Sequence, residues 1–168
     1  MIDQYFGETG IRQSSTILSQ GDDAAVIEVP DGDQLVMSID TLIAGVHFPE
    51  QTSPSDIAHK ALAVNLSDLA AMAAKPACFL LSISLPVIDE AWLSEFSVSL
   101  KKLADRYSIE LIGGDTCQGP LSITIQVNGL VEKNQYITRS GAKPGELVVV
   151  SGQLGTAALG LAHSRGDI

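Results

Sequence analysis

The stretch that decides the fold, Lys60 to Pro76, reads KALAVNLSDLAAMAAKP. Between Ala61 and Ala74 only Asn65, Ser67 and Asp68 are polar, the pattern expected of a helix buried all round rather than one lying on a surface. Asp68 is then expected out of water, where an ionised carboxylate is costly unless it is paired or bound to a metal. No Lys or Arg lies within the buried part of this helix, whereas Asp22, Asp23, Asp40 and Asp115 each stand in a Gly-flanked or strand-end context. Carboxylates that converge on another carboxylate repel unless divalent cations lie between them. A magnesium site is the leading expectation, because this ion takes hard oxygen ligands and bridges to substrate phosphates.

Composition bounds the alternatives. At 168 residues the chain is long enough for one good core and too short for two full domains. Hydrophobic residues make up 45% and aromatics only 5%, so the core is expected to be aliphatic. Ten Lys and Arg against twenty Asp and Glu give a formal charge of −10, which excludes the cationic face a nucleic-acid binder needs. An acidic chain still binds phosphorylated metabolites where metal ions intervene. Taken singly, each Asp also reads as a turn former, a cap or a solvated charge. Cys78 and Cys117 form no CxxC and have no His at ligand spacing, so both are expected buried and reduced, as in a cytosolic protein. Met1 is followed by Ile2, Asp3 and Gln4 without a basic start and apolar run, so no secretory leader is expected. The apolar helix, roughly 14 residues, is shorter than the about 20 a membrane span needs.

Residues 1 to 20 are weakly patterned and predicted irregular or briefly helical. GDDAAVIEV from Gly21 becomes a β-type run ending at Pro30, and a DGD turn at Asp31 to Asp33 leads to a second run, Leu35 to Thr41, giving a predicted hairpin with Asp40 at its end. The loop LIAGVHFP carries His47. Ser53 as N-cap, Pro54 at the first helical position and Asp56 in the first turn start the central helix, which stops before Pro76. Asn65 and Asp68, three apart, share a face and are expected to reach one ligand. A buried strand from Cys78 to Leu85 is followed by an amphipathic helix, Asp89 to Tyr107, in which Trp92 and Phe96 belong to the core. A short strand, Ile109 to Ile112, runs into GGDT, whose glycines would let backbone approach a phosphate. Further strands are predicted at Leu121 to Glu132 and Leu147 to Ser151, and an uncapped helix from Leu154 to Ile168. SGQLGTAALG at 151 to 160 lacks the GxGxxG spacing and no P-loop GxxxxGK[ST] occurs, so it reads as a strand-to-helix turn. His59 and His163 have no partners at ligand spacing. Strand ends converge on one edge of a sheet, from which Asp22, Asp23, Asp40 and Asp115 are expected to meet Asp68.

Five motifs carry a resemblance: GDDAA at 21 to 25, SIDTLIAGVHF at 38 to 48, KALAVNLSDLAAM at 60 to 72, LIGGDT at 111 to 116 and TRSGAKPGE at 138 to 146. In this order the chain strongly resembles the thiamine-monophosphate kinases, members of an ATP-binding superfamily that also holds aminoimidazole ribonucleotide synthetase, selenophosphate synthetase and a hydrogenase maturation protein. The resemblance implies an α/β (α+β) fold, a mixed sheet with helices packed on one face. It also implies a homodimer closing a β-barrel, and Mg2+-dependent transfer of the ATP γ-phosphoryl group to thiamine monophosphate. Carried onto this sequence, Asp23, Ser38, Asp40, Asp68 and Asp115 match metal positions, with Ile39 contributing a backbone oxygen and Asp22 adjacent. Gly114, Asp115 and Arg139 match nucleotide contacts, and His47 matches a contact to the thiamine substrate. No acid–base triad is required, since phosphoryl transfer between anions needs charge neutralisation and in-line positioning.

Two departures, Ala44 where many members have Glu and Ala73 where Gly is usual, are expected to alter little. The family's enzymes are about twice this long, so residues 1–150 are expected to form an N-terminal ATP- and Mg2+-binding and dimerisation domain and 151–168 the start of a second one. Two functions remain at this point: a kinase half, cytoplasmic and without nucleic-acid or membrane partners, or a non-catalytic dimerisation and Mg2+-nucleotide-binding module. Within the superfamily a different acceptor is also open, since the VHF loop is the only local sign of thiamine.

Overall fold

The computed structural model describes residues 2–7 and 9–168. The chain divides into two units, Met1–Thr138 and Arg139–Ile168. In the first, a four-stranded sheet has the order β3-β6-β4-β5, where β3 is Asp33–Ile43, β4 Lys75–Leu85, β5 Glu110–Gln118 and β6 Ser122–Glu132. β6 runs antiparallel to both of its neighbours, and β4 and β5 are parallel, as a strand–helix–strand crossover through α3 (Glu90–Arg106) requires. Two helices, α2 (Pro54–Ala71) and α3, pack on one face of this sheet. A short α1 (Ile2–Phe6) packs on α3, with Phe6 edge-on to Phe96 at 6.3 Å. The mixed sheet with helices on one face is the expected fold class.

The sheet's faces follow from its register. Ile123, Ile125 and Val127 of β6 have no exposure, and in the pairing they stand beside Ile83, Leu81 and Phe79 of β4 and beside Leu42, Asp40 and Ser38 of β3. These rows face the helices. The alternate residues of β6, Ser122, Thr124, Gln126 and Asn128, point to the other side, with Met37, Ile39, Thr41, Leu80 and Ser82. Neither helix covers that side, and Met37 and Ile39 are more than 60% exposed there.

Ser53 caps α2 as expected, its hydroxyl accepting the Asp56 amide at 3.1 Å, and Asp89 caps α3. Both helices end in the same way. The Ala74 amide donates to the Leu69 carbonyl and the Ala73 amide to Ala70; at the end of α3 the Ile109 amide donates to Ala104 and the Ser108 amide to Asp105. This paired bonding satisfies the last carbonyls through one residue in the left-handed region, usually glycine. Here the residues are Ala73 at φ 58° and Ser108 at φ 50°. Each helix then passes directly into a strand, β4 or β5. Gly129 makes room for the α2 turn, since a Cβ there would stand 3.1 Å from both the Ala74 Cβ and the Leu69 Cδ2.

Several expectations are corrected. α2 is buried on one face only, through Ile57, Ala58, Ala61, Leu62, Asn65, Leu66 and Leu69, while Ser67, Ala70 and Ala71 are exposed. Alanine reads as apolar in a sequence yet tolerates water, so an alanine-rich surface imitates an all-buried helix. The predicted hairpin between residues 21–30 and 35–41 does not form. β2 (Val26–Ile27) pairs with β1 (Thr16–Leu18), and β3 pairs along its whole length with β6, whose eleven residues offer the longer ladder. Asp40 is therefore inside β3, opposite Ile125, and not at its end. GGDT likewise lies within β5. Leu147 to Ser151 forms no strand among the described residues, and Leu147, Val148 and Val149 are 83–95% exposed; an extended apolar run gains a ladder only beside another strand. The second unit's helix, α4 (Thr156–Arg165), is capped after all, by Gly166 at φ 73°. His59 and His163 are exposed.

Of the two thiols only Cys78 is buried; Cys117 is exposed, contrary to expectation, because it stands near the open end of β5. Burial pushes the Cys78 thiol up from 9.0 to about 11, assisted by the charge of Glu110 and opposed by a hydrogen bond with Asn128. An unfolded Cys78 releases its proton near its ordinary value while the folded one retains it. Its contribution to stability is therefore complete at neutral pH and is lost as pH rises between about 9 and 11. A thiol reagent at neutral pH should modify one cysteine in the folded chain and the second only on denaturation; two equivalents reacting at one rate would contradict this burial.

Ala73 is the less innocuous of the two departures from the resembling family, since a left-handed alanine costs about 1–2 kcal/mol. Ala73→Gly should raise the urea midpoint by an amount equivalent to about 0.5–1 kcal/mol, the released strain less the added chain entropy, with the slope unchanged. A lower midpoint would show that the turn is not strained.

Candidate functional site

A cavity of about 930 Å³ opens on the side of the sheet that the helices leave bare. One wall is the Gln20–Ala25 segment, which brings Asp22 and Asp23; another is β5, which brings Gly113, Gly114 and Asp115; the floor includes Met37, Leu80, Gln126 and Asn128. The segment is held by Gln20, whose side-chain amide donates to the Leu111 carbonyl at 2.7 Å and to the Phe6 carbonyl at 3.1 Å. Asp22 accepts the Asp23 amide at 2.8 Å, so one of its oxygens is engaged locally. Gly114 is needed for a reason other than a phosphate: a Cβ there would fall 1.8 Å from the Leu81 carbonyl oxygen. Close approach of β4 to β5 thus requires glycine at this point of the strand.

Asp68, Ser38 and Asp40 lie elsewhere. Ser38 and Asp40 belong to the rows of β3 that face the helices, and the Ser38 hydroxyl donates to the Asp68 Oδ2 at 2.7 Å. Asp68 is half-buried rather than sealed, which together with this hydrogen bond meets part of the desolvation demand that the sequence assigned to a metal. Asp115 stands on the opposite face, in the row of Ser82, Thr124 and Thr41. Asp22, Asp23 and Asp115 are therefore brought to one cavity and Ser38 and Asp68 to one contact, but the five carboxylates do not close a single cage. Among the described residues no three of His, Cys, Asp or Glu stand close enough to hold a metal by themselves. The expected convergence from one sheet edge fails because alternate residues of a strand point to opposite faces.

Asn65 does not join Asp68 at a ligand. It is 1% exposed, its amide donates back to the Ala61 carbonyl at 2.9 Å, and its Oδ1 is buried without a partner. Ile39 turns its side chain to the bare face, and its strand β3 is at the sheet edge, where outward backbone oxygens are open to a ligand. Arg139 belongs to the second unit. His47 is exposed on the loop after β3, its Nδ1 accepting the Ile43 amide at 3.0 Å. Gln126 and Asn128, which share a 2.9 Å hydrogen bond in the cavity floor, were not singled out from the sequence. Their signal was the strict alternation of SITIQVN, whose polar members mark a strand face without a hydrophobic cover.

Residues 21–131 match the AIR synthase related protein, N-terminal domain family. The chain belongs to that family. It is 49% identical over 162 residues to the thiamine-monophosphate kinase of Escherichia coli K12, a match covering 96% of this chain and 50% of that protein. The crystal structure of thiamine-monophosphate kinase from Stenotrophomonas maltophilia K279a superposes with a TM-score of 0.86 at 45% identity, over 93% of this chain and 50% of that one. AaThiL complexed with AMPPCP and TMP follows with a TM-score of 0.76 at 30% identity, over 88% and 47%. The chain spans about half the length of the curated relatives it matches. No helix among the described residues is long and apolar enough to cross a membrane.

The Ser38–Asp68 hydrogen bond ties α2 to the edge strand that carries the His47 loop. Ser38→Ala should lower stability by about 1 kcal/mol, the net worth of a half-exposed bond to a carboxylate. An unchanged urea midpoint would mean that water replaces the hydroxyl without loss.

Proposed function

We propose that this chain is the nucleotide-binding half of a kinase that transfers the γ-phosphoryl group of ATP to the phosphate of thiamine monophosphate, giving ADP and thiamine diphosphate. The observation that carries this reading is the 49% identity to a thiamine-monophosphate kinase over 96% of the chain. A cavity walled by Asp22, Asp23 and Asp115 supports it. In this reading Asp23, Ser38, Asp40, Asp68 and Asp115 serve magnesium, with Asp22 adjacent and Ile39 offering its backbone oxygen. Gly114, Asp115 and Arg139 serve the nucleotide, and His47 the thiamine substrate. The donors fit magnesium: all are hard oxygens, and their division into groups too small for a closed cage suits an ion that takes one or two carboxylates and completes its shell with water and phosphate. When bound, magnesium would neutralise phosphate charge.

The residues of this chain then have separable tasks. The Asp22–Asp23 segment and Asp115 admit the nucleotide only as its metal complex, since bare triphosphate would be repelled by a chain of charge −10. Arg139 contributes cationic stabilisation, and His47 orients the acceptor so that its phosphate oxygen lies in line. The bare sheet face, with Ile39 and Ile43 exposed, supports a homodimer whose sheets close into a β-barrel. The cytoplasm, where ATP and magnesium are plentiful, is the matching compartment. Residues 1–150 are assigned to the nucleotide-binding domain and 151–168 to the start of a second. One fact favours another reading, a binding and dimerisation module that does not turn over alone: the chain covers only half of its relatives.

The deciding experiment is thiamine diphosphate formation by this chain with ATP, magnesium and thiamine monophosphate, beside Asp68→Asn. Wild type should form product, and the variant should lose at least about tenfold in rate. Equal rates would remove Asp68 from the metal set, and product from neither would favour the binding module.

A further inference from the structure

The loop after β3 is pinned along its length. Ala44 donates its amide to the Leu121 carbonyl at 3.1 Å, the Gly45 amide bonds the Phe48 carbonyl at 2.8 Å with Gly45 at φ 75°, and Phe48 is buried in the core at 4% exposure. His47 is held through both its main chain and its ring. Its amide donates to the Ile43 carbonyl at 2.9 Å, while the Ile43 amide donates to its Nδ1 at 3.0 Å. From α2, the Lys60 ammonium donates to the His47 carbonyl.

An imidazole nitrogen that accepts an amide hydrogen carries no proton itself, so the neutral ring keeps its proton on Nε2. The clasp therefore presents one chemical face to solvent, an Nε2–H donor. We infer that Lys60 is a positioning residue that, with the Ile43 amide, locks His47 as the Nε2–H tautomer, so that the substrate atom His47 meets is a hydrogen-bond acceptor. This rests on the reading of His47 as the thiamine monophosphate contact and adds to it the polarity of that contact and the residue that enforces it. Lys60 touches neither nucleotide nor acceptor in this scheme. Its ammonium acts through the peptide carbonyl of His47, which holds the ring's own backbone in register with Ile43.

The lock is read without turnover, from long-range 15N correlation spectra of the histidines in the 168-residue chain at about pH 8, above the ordinary imidazole pKa. Wild-type His47 should show an unprotonated Nδ1 and a protonated Nε2. Lys60→Met should move both resonances toward averaged values, and Lys60→Arg should restore them. In a parallel titration with thiamine monophosphate, His47→Gln, whose amide nitrogen falls near Nε2, should bind within about threefold of wild type. His47→Asn, whose amide nitrogen falls near Nδ1, should lose about tenfold, the worth of one good hydrogen bond. Equal binding by wild type and His47→Asn would overturn the substrate reading on which the acceptor depends. A wild-type His47 protonated on Nδ1, or one whose spectrum Lys60→Met leaves in place, would overturn the inference itself.

Discussion

The row Ile123, Ile125 and Val127 on β6 is what the rest of the first unit depends on. These side chains have no exposure and sit between β3 and β4 in the sheet and beneath the two helices. Burying a β-branched side chain is worth about 1.5–3 kcal/mol, and three in a row fix which face of the strand meets the helices. A slip of one residue would exchange them for Thr124, Gln126 and Asn128. Because β6 pairs with both neighbours, its register dictates theirs. Phe79, Leu81 and Ile83 of β4 follow, as do Leu42 and, less comfortably, Ser38 and Asp40 of β3.

That discomfort is the origin of the divided site. An apolar helix laid over a strand with polar members at 38 and 40 must supply a partner, and α2 does so with Asp68, which accepts the Ser38 hydroxyl. The same register that sends Ser38 inward sends Asp115 outward, through the chain of partners Thr41, Thr124 and Ser82. Charge is thereby spread over two faces instead of concentrated at one. Mutual repulsion among carboxylates is reduced, and a metal–phosphate complex remains able to complete the shell that protein oxygens leave open.

Much of this was legible along the chain. Ser53 with Pro54 and Asp56 is a local signal for a helix start and was read correctly because a cap involves only the next turn, whereas Asp89 was taken into the helix that it caps. Three strands of the sheet, β3, β4 and β6, were placed within a few residues, since their apolar content has no other outlet, while β5 was stopped at Ile112 because GGDT reads as a turn. The errors share a cause. The GDDAAVIEV run looked like half of a hairpin because its neighbour in sequence was also β-like, yet it pairs backwards with β1, and that neighbour, β3, takes β6 as its partner, some ninety residues away. Leu147 to Ser151 has strand composition and no partner. Ala61 to Ala74 looked uniformly buried because composition cannot separate an alanine facing Leu69's side of a helix from one facing water.

Sequence by itself determined the helices, the Ser53 cap of α2, the alternation of β6 and the identity of each carboxylate, because these rest on propensity, spacing and chemistry within a turn or two of chain. It also carried the family, through motifs whose order survives without any knowledge of their geometry. Tertiary structure alone decided which strands pair, and hence that Asp22, Asp23 and Asp115 share a cavity while Asp68 answers Ser38 on the other face. It decided the tautomer of His47 as well, since Ile43 and Lys60 reach that ring and its carbonyl from two different elements. The reason is the same in each case: pairing and facing are set by non-local burial, and no run of residues contains the partner it will be buried against.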